Sequence, residues 1–149
     1  MESGNAVRKF GEDEAWSVPR RRKNAGEAGR AAALTHQRIF EACDCVIDLA
    51  AAFFNVSGKE LRKPGRTTED VARVRQIAMY LAHVMLGLSM ADVGKGFGRD
   101  RTTVVHACHI VEDMRDDIEV DAIVCRMERL IAAALSGHRL YWRNGRIAE

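Results

Sequence analysis

Residues 89–111 read SMADVGKGFGRDRTTVVHACHIV, and the reading of this stretch decides the fold. It predicts a short helix, a glycine turn and a second helix. Ser89 is a good N-cap, and Asp92 follows three residues on, where a carboxylate meets the positive end of the helix dipole. Val93 is expected to pack inward. Gly94, Gly96 and Gly98 are expected to stop the first helix, because glycine alone adopts left-handed angles cheaply. Asp100 or Thr102 can cap the next helix. In that helix Val104, Ala107, Cys108 and Val111 recur at the spacing of a buried stripe. A different face carries Arg101, Thr102, Thr103, His106 and His109, which donate or accept hydrogen bonds and include no acid. Donor-rich side chains at a helix N-terminus suit base edges in a major groove.

The same stretch resembles the signature of the C-terminal DNA-binding domain of the bacterial replication initiator DnaA. That signature runs Ile-Gly-x-x-Phe-Gly-Gly-Arg-Asp-His-Thr-Thr-Val-x-x-Ala. Val93-Gly94, Phe97-Gly98-Arg99-Asp100, Thr102-Thr103-Val104 and Ala107 fit it. Two other segments share the resemblance. One is Phe53–Leu61, with its paired aromatics and its Glu60-Leu61. The other is Ala72–Met79, in which Val74 stands where the family usually has proline. Together they cover about residues 37–135.

The resemblance implies an all-α, compact helical bundle containing a helix-turn-helix, Trp-repressor-like or DnaA domain IV-like, with a flexible N-terminal arm. It also implies that Arg99, Asp100, Thr102, Thr103 and His106 read bases in the major groove, with Arg101 in place of the usual histidine. Arginine makes its best specific contact with guanine O6 and N7, so the preferred site should be related to the DnaA box without being identical to it. The turn has one glycine fewer than the signature, which is expected to shift the recognition helix. Arg62, Lys63 and Arg66 are the candidates for phosphate or the minor groove, and His83 stands where the family tends to place a lysine near the DNA backbone. No Gly-x-x-x-x-Gly-Lys-Ser/Thr phosphate loop occurs in the chain. The expectation is a detached DNA-reading domain that binds no nucleotide.

Bulk properties fit this reading without forcing it. The 149 residues carry a formal charge of +2, so composition alone names no nucleic-acid partner. Distribution says more. Residues 56–76 hold Lys59, Arg62, Lys63, Arg66, Arg73 and Arg75 against three acids, whereas residues 112–121 hold six acids against Arg115 alone. Such a chain can face a polyanion with one region and turn the other away. Few prolines and many alanines favour helix. No apolar run is long enough to span a bilayer and no signal sequence opens the chain, so a cytoplasmic, nucleoid-associated protein is expected. Cys43, Cys45, Cys108 and Cys125 sit in helical, largely apolar settings and read as buried free thiols. There is no metal-ligand spacing, nucleophile elbow or carboxylate pair in a pocket-forming context. No metal, cofactor or enzymatic activity is expected.

Along the chain, residues 1–35 are expected to be a basic, disordered arm containing Arg20-Arg21-Arg22-Lys23. A helix is expected from about Thr35 to Phe54, with Ile39, Ala42, Cys43, Val46, Leu49, Ala50 and Phe53 as its stripe. Residues 62–66 form a basic loop with Pro64-Gly65 as turn signal. The core helix follows at Glu69–Leu86, capped by Thr67 or Thr68. The last helix, Ala122–Leu135, is expected to turn Val124, Met127, Leu130, Ile131 and Ala134 inward, and closes the 36–135 domain. Residues 136–149 are a basic and aromatic tail. The expected function is sequence-specific double-stranded DNA binding, as a transcriptional regulator or a modulator of replication initiation. The alternative is a protein-interaction module on a DNA-binding-derived fold. A protein partner or a homodimer remains open.

Overall fold

The structure, a computed structural model, describes the backbone of residues 25–136, 142–143 and 146–147 and the side chains of residues 35–135. Its helices are α1 (Ala25–Phe54), α2 (Gly58–Arg62), α3 (Glu69–Leu86), α4 (Met90–Phe97), α5 (Arg101–Met114) and α6 (Ile118–Ser136). A two-stranded antiparallel ribbon follows, β1 (Trp142–Arg143) with β2 (Arg146–Ile147), Trp142 opposite Ile147. Asn144-Gly145 between them is the strongest short hairpin signal a sequence carries.

The all-α bundle is organised around α3. Val74, Ile77, Ala78, Met79, Tyr80, Leu81, Ala82 and Leu86 are all buried. Apolar residues run round most of the helix, so it is packed on several sides, by α1, α5, α4, α2 and α6. Thr68 caps it, its hydroxyl accepting from Val71 N–H, and Gly87 closes it in the left-handed conformation at φ 64°. The expected span of this helix is the observed one.

Other boundaries moved. α1 starts at Ala25, ten residues before the expected Thr35. The segment Ala25–Leu34 is rich in alanine, whose helix propensity is the highest of any residue. The arm's remaining residues, with Arg20–Lys23, lie outside the described part. α1 ends at Asn55, whose φ of 53° is left-handed. Ser57 then stands at the N-cap of the short helix α2, and Leu61 anchors α2 in the core. α6 begins at Ile118, four residues before the expected Ala122, because the Asp117 carboxylate accepts from the Glu119 and Val120 amides. Val124, Met127 and Ile131 are buried as expected, but Leu130 is 43% exposed. Three inward positions complete the stripe of α6, and Leu130 falls beside it.

Candidate nucleic-acid interface

The corner between α4 and α5 is built from glycines with three different tasks. Only Gly98 stops α4. It sits at φ 64°, and the Arg99 amide reaches back to Gly94 O at 2.8 Å while the Gly98 amide bonds Lys95 O at 3.3 Å. This is the six-to-one closure of a helix ended by a left-handed residue, and one glycine suffices for it. Gly94 and Gly96 were expected to terminate the helix and instead lie inside it. They are needed for close approach. A Cβ at Gly94 would meet Arg99 O at 2.6 Å, and one at Gly96 would collide with the Cys43 thiol of α1, its Cβ only 2.8 Å away. Ser89 caps α4, accepting from the Asp92 amide at 3.1 Å.

This corner delivers α5 with one face inward and one outward. Val104, Ala107, Cys108 and Val111 are buried, whereas Arg101, Thr102, Thr103, His106 and His109 are exposed. Asp100 occupies the N-cap in an extended conformation (φ −69°, ψ 149°), but its carboxylate makes no capping bond. The helix therefore leaves that acceptor turned outward with the two hydroxyls. The first-turn amides of α5 have no side-chain cap, so the positive end of the helix is open.

The basic loop lies against this corner. Arg99 Nη2 donates to Lys63 O at 2.8 Å across 36 positions of sequence. The local alternative for Arg99, a salt bridge to Asp100, is not formed. Lys63 and Arg66 are exposed beside it, with Lys63 Nζ only loosely near Glu60 at 3.9 Å. Arg75 is buried beneath the loop, at 7% exposure. Its Nε donates to Leu61 O at 2.9 Å and its Nη2 to Glu60 O at 2.9 Å and Lys63 O at 3.3 Å. Burial, and then the nearby Arg99 charge, push the Arg75 guanidinium below its ordinary range.

Two expected phosphate contacts have competing partners. Arg62 donates to Asp48 at 2.8 Å and to Asp44 at 3.2 Å, both on α1, and these bonds raise its pKa. It fastens α2 to α1. Half-buried His83 has Nδ1 2.6 Å from Leu88 O and so braces the link from α3 to α4. The structure thus places Arg99, Asp100, Arg101, Thr102, Thr103 and His106 at one corner, bonds the Lys63 end of the basic loop to it with Arg66 exposed further along that loop, and gives Arg62 and His83 partners within the protein. Sequence reasoning missed the role of Arg75. Its signal was there: position 75 falls in register with Val71, Ala78, Met79 and Ala82, and a cation inside an apolar stripe must find acceptors.

The far end of α5 is closed. Arg115 donates to Asp121 at 2.6 Å, to Glu128 at 2.7 Å and to the Tyr80 hydroxyl at 3.1 Å, with its guanidinium 5.9 Å from the Tyr80 ring centre. Burial opposes this charge, but the Glu128, Asp121 and Tyr80 bonds outweigh it and hold the pKa above the ordinary arginine range. Cys43 and Cys108 are buried thiols with their pKa pushed up to about 12, chiefly by desolvation. Among the described residues no cluster of His, Cys, Asp and Glu could hold a metal ion, and no helix is long and apolar enough to cross a membrane.

Fold and corner together define a helix-turn-helix domain of the type that presents the N-terminal half of its second helix to DNA. The particular type is given by comparison: residues 43–111 match the bacterial DnaA protein helix-turn-helix family. The chain is 44% identical over 62 residues to the chromosomal replication initiator protein DnaA of Mycobacteroides abscessus, covering 42% of this chain and 12% of that protein. The crystal structure of a DNA replication initiation factor superposes with a TM-score of 0.59 at 21% identity, covering 74% of this chain and 37% of that one. A replication initiator DnaA, solved with AMPPCP and single-stranded DNA, gives 0.57 at 20% identity, covering 68% and 31%. Residues 43–111 thus resemble the C-terminal DNA-binding helix-turn-helix of DnaA, and the chain spans a small part of the length of the initiators it is similar to.

Proposed function

We propose that this protein binds double-stranded DNA sequence-specifically, at sites related to the DnaA box, and acts as a transcriptional regulator or as a modulator of replication initiation. The observation that carries the reading is the first turn of α5. Arg101, Thr102 and Thr103 are exposed together, the Asp100 carboxylate makes no capping bond, and the Lys63–Arg66 loop lies against the same corner. In this reading Asp100, Arg101, Thr102, Thr103 and His106 line the major groove, Arg99 stands beside them with its guanidinium held at Lys63 O, and Lys63 and Arg66 meet phosphates or the minor groove. Arg101 reads guanine and the threonine methyls pack on thymine. Arg62 and His83 support these elements from behind. Such a protein associates with the nucleoid and needs neither nucleotide nor metal to bind.

The deciding experiment is a band-shift titration on DnaA-box duplexes and scrambled controls over a salt series. Tighter binding to the box duplexes by tenfold or more supports specificity. Equal affinity for both sets would overturn it. A second reading, an interaction module, draws on Ile118, which is 86% exposed next to the exposed acids Asp116, Asp117 and Glu119. Its test is a pull-down with the wild-type chain and with Ile118→Ser. Loss of a partner in the variant, with no duplex binding by either protein, would favour it.

A further inference from the structure

We infer that Arg75 and Arg99 are positioning residues that fix the basic loop at a set distance from the recognition helix, by donating to the same carbonyl, Lys63 O. The inference rests on the DNA-binding reading above and adds to it a device that joins its two contact elements.

The geometry is specific. Helix α2 is five residues long, so its carbonyls have almost no intrahelical partners. Arg75, rooted in the core helix, supplies donors to three of them or their neighbours: Glu60 O, Leu61 O and Lys63 O. That capping anchors the start of the loop to α3. Arg99 reaches the same Lys63 carbonyl from the opposite side, out of the α4–α5 corner. A carbonyl oxygen has two lone pairs and can accept both guanidinium donors. The loop is therefore pinned between the core helix and the corner by charge-assisted bonds, which are the stronger kind.

The chemistry of the clamp also points outward. Neither guanidinium is bonded to a carboxylate, in contrast to Arg62, Arg73 and Arg115, each of which is. Two cations sharing one neutral acceptor leave net positive charge at the junction, and their mutual repulsion is relieved when a polyanion lies over it. Ordering the loop in advance also reduces the entropy lost on binding. Because the tether uses the Lys63 backbone, the Lys63 side chain remains available for DNA.

Two measurements on the whole chain test this. In the free protein, hydrogen exchange of the Lys63 amide, which donates to Lys59 O, should speed up in Arg99→Ala, with the amides of α3 unchanged, and Arg99→Lys should restore part of the protection. Unchanged exchange of that amide in Arg99→Ala would overturn the tether. The second is a double-mutant cycle on duplex DNA. Arg99→Ala should weaken binding about tenfold in the wild-type background and less than about twofold once Lys63→Ala and Arg66→Ala have removed the loop cations. Equal losses in both backgrounds would mean that Arg99 touches DNA by itself, and the positioning role would be wrong. If the wild-type chain bound no duplex at low salt, the DNA-binding reading would fail on its own terms and this coupling with it. The exchange arm would still decide whether the tether exists.

Discussion

The two ends of α5 make opposite use of charged and polar side chains. At the C-terminal end Arg115 is surrounded by Asp121, Glu128 and the Tyr80 hydroxyl, which tie α5 to α6 and α3. At the N-terminal end Asp100, Arg101, Thr102 and Thr103 are exposed, and no side chain caps the helix. One end completes its hydrogen bonds within the molecule and so stabilises the fold. The other leaves donors and acceptors directed at solvent, where they contribute little to stability and are ready for a partner. A polar group that the fold does not need is the better candidate for function.

This contrast can be broken in order of effect. Arg115→Met should destabilise the fold by about 2–4 kcal/mol in urea unfolding, because it strands two partly buried carboxylates and a phenol. It should leave DNA preference unchanged. Gly96→Ala tests how the exposed end is held in place. The added Cβ collides with the Cys43 thiol, so it should cost about 1–3 kcal/mol despite alanine's better helix propensity, with Cys43→Ala recovering part of the loss.

At the open end the effects should appear in binding instead. Arg101→Ala should cost about 1–3 kcal/mol of DNA affinity and relax one base position in a selected-site profile, with the unfolding midpoint unmoved. Lys63→Ala should weaken all sequences alike and reduce the salt slope by about one.

The smallest effect concerns pH. The Cys43 and Cys108 thiols titrate near 9.0 when unfolded and are pushed up to about 12 in the fold. Between those values the folded chain holds more protons than the unfolded one, so stability falls as pH rises from about 9. Cys108→Ala should flatten this alkaline limb in unfolding measurements at pH 8, 9 and 10, and have no effect on the slope below pH 8.

Much of this was legible in the sequence. The stripe of Val104, Ala107, Cys108 and Val111 determined which face of α5 turns inward, and so which residues stay out. Thr68, Ser89 and Gly87 marked helix ends by local backbone chemistry. The family signature named the corner. These features depend on residues a few positions apart, and such short-range constraints survive in one dimension.

What only the tertiary structure decided depends on distant pairs. Gly94 and Gly96 looked like helix stops, and nothing local could reveal that Arg99 O and the Cys43 thiol press against them. Arg62 reads as a phosphate contact, and only the fold shows that Asp44 and Asp48 of another helix also hold its guanidinium. The bond from Arg99 to Lys63 O joins residues that are neighbours only after folding. A sequence specifies which side chains have hydrogen-bonding capacity. Whether that capacity is consumed inside the molecule or left for a ligand depends on which remote groups the packing brings within about 3 Å.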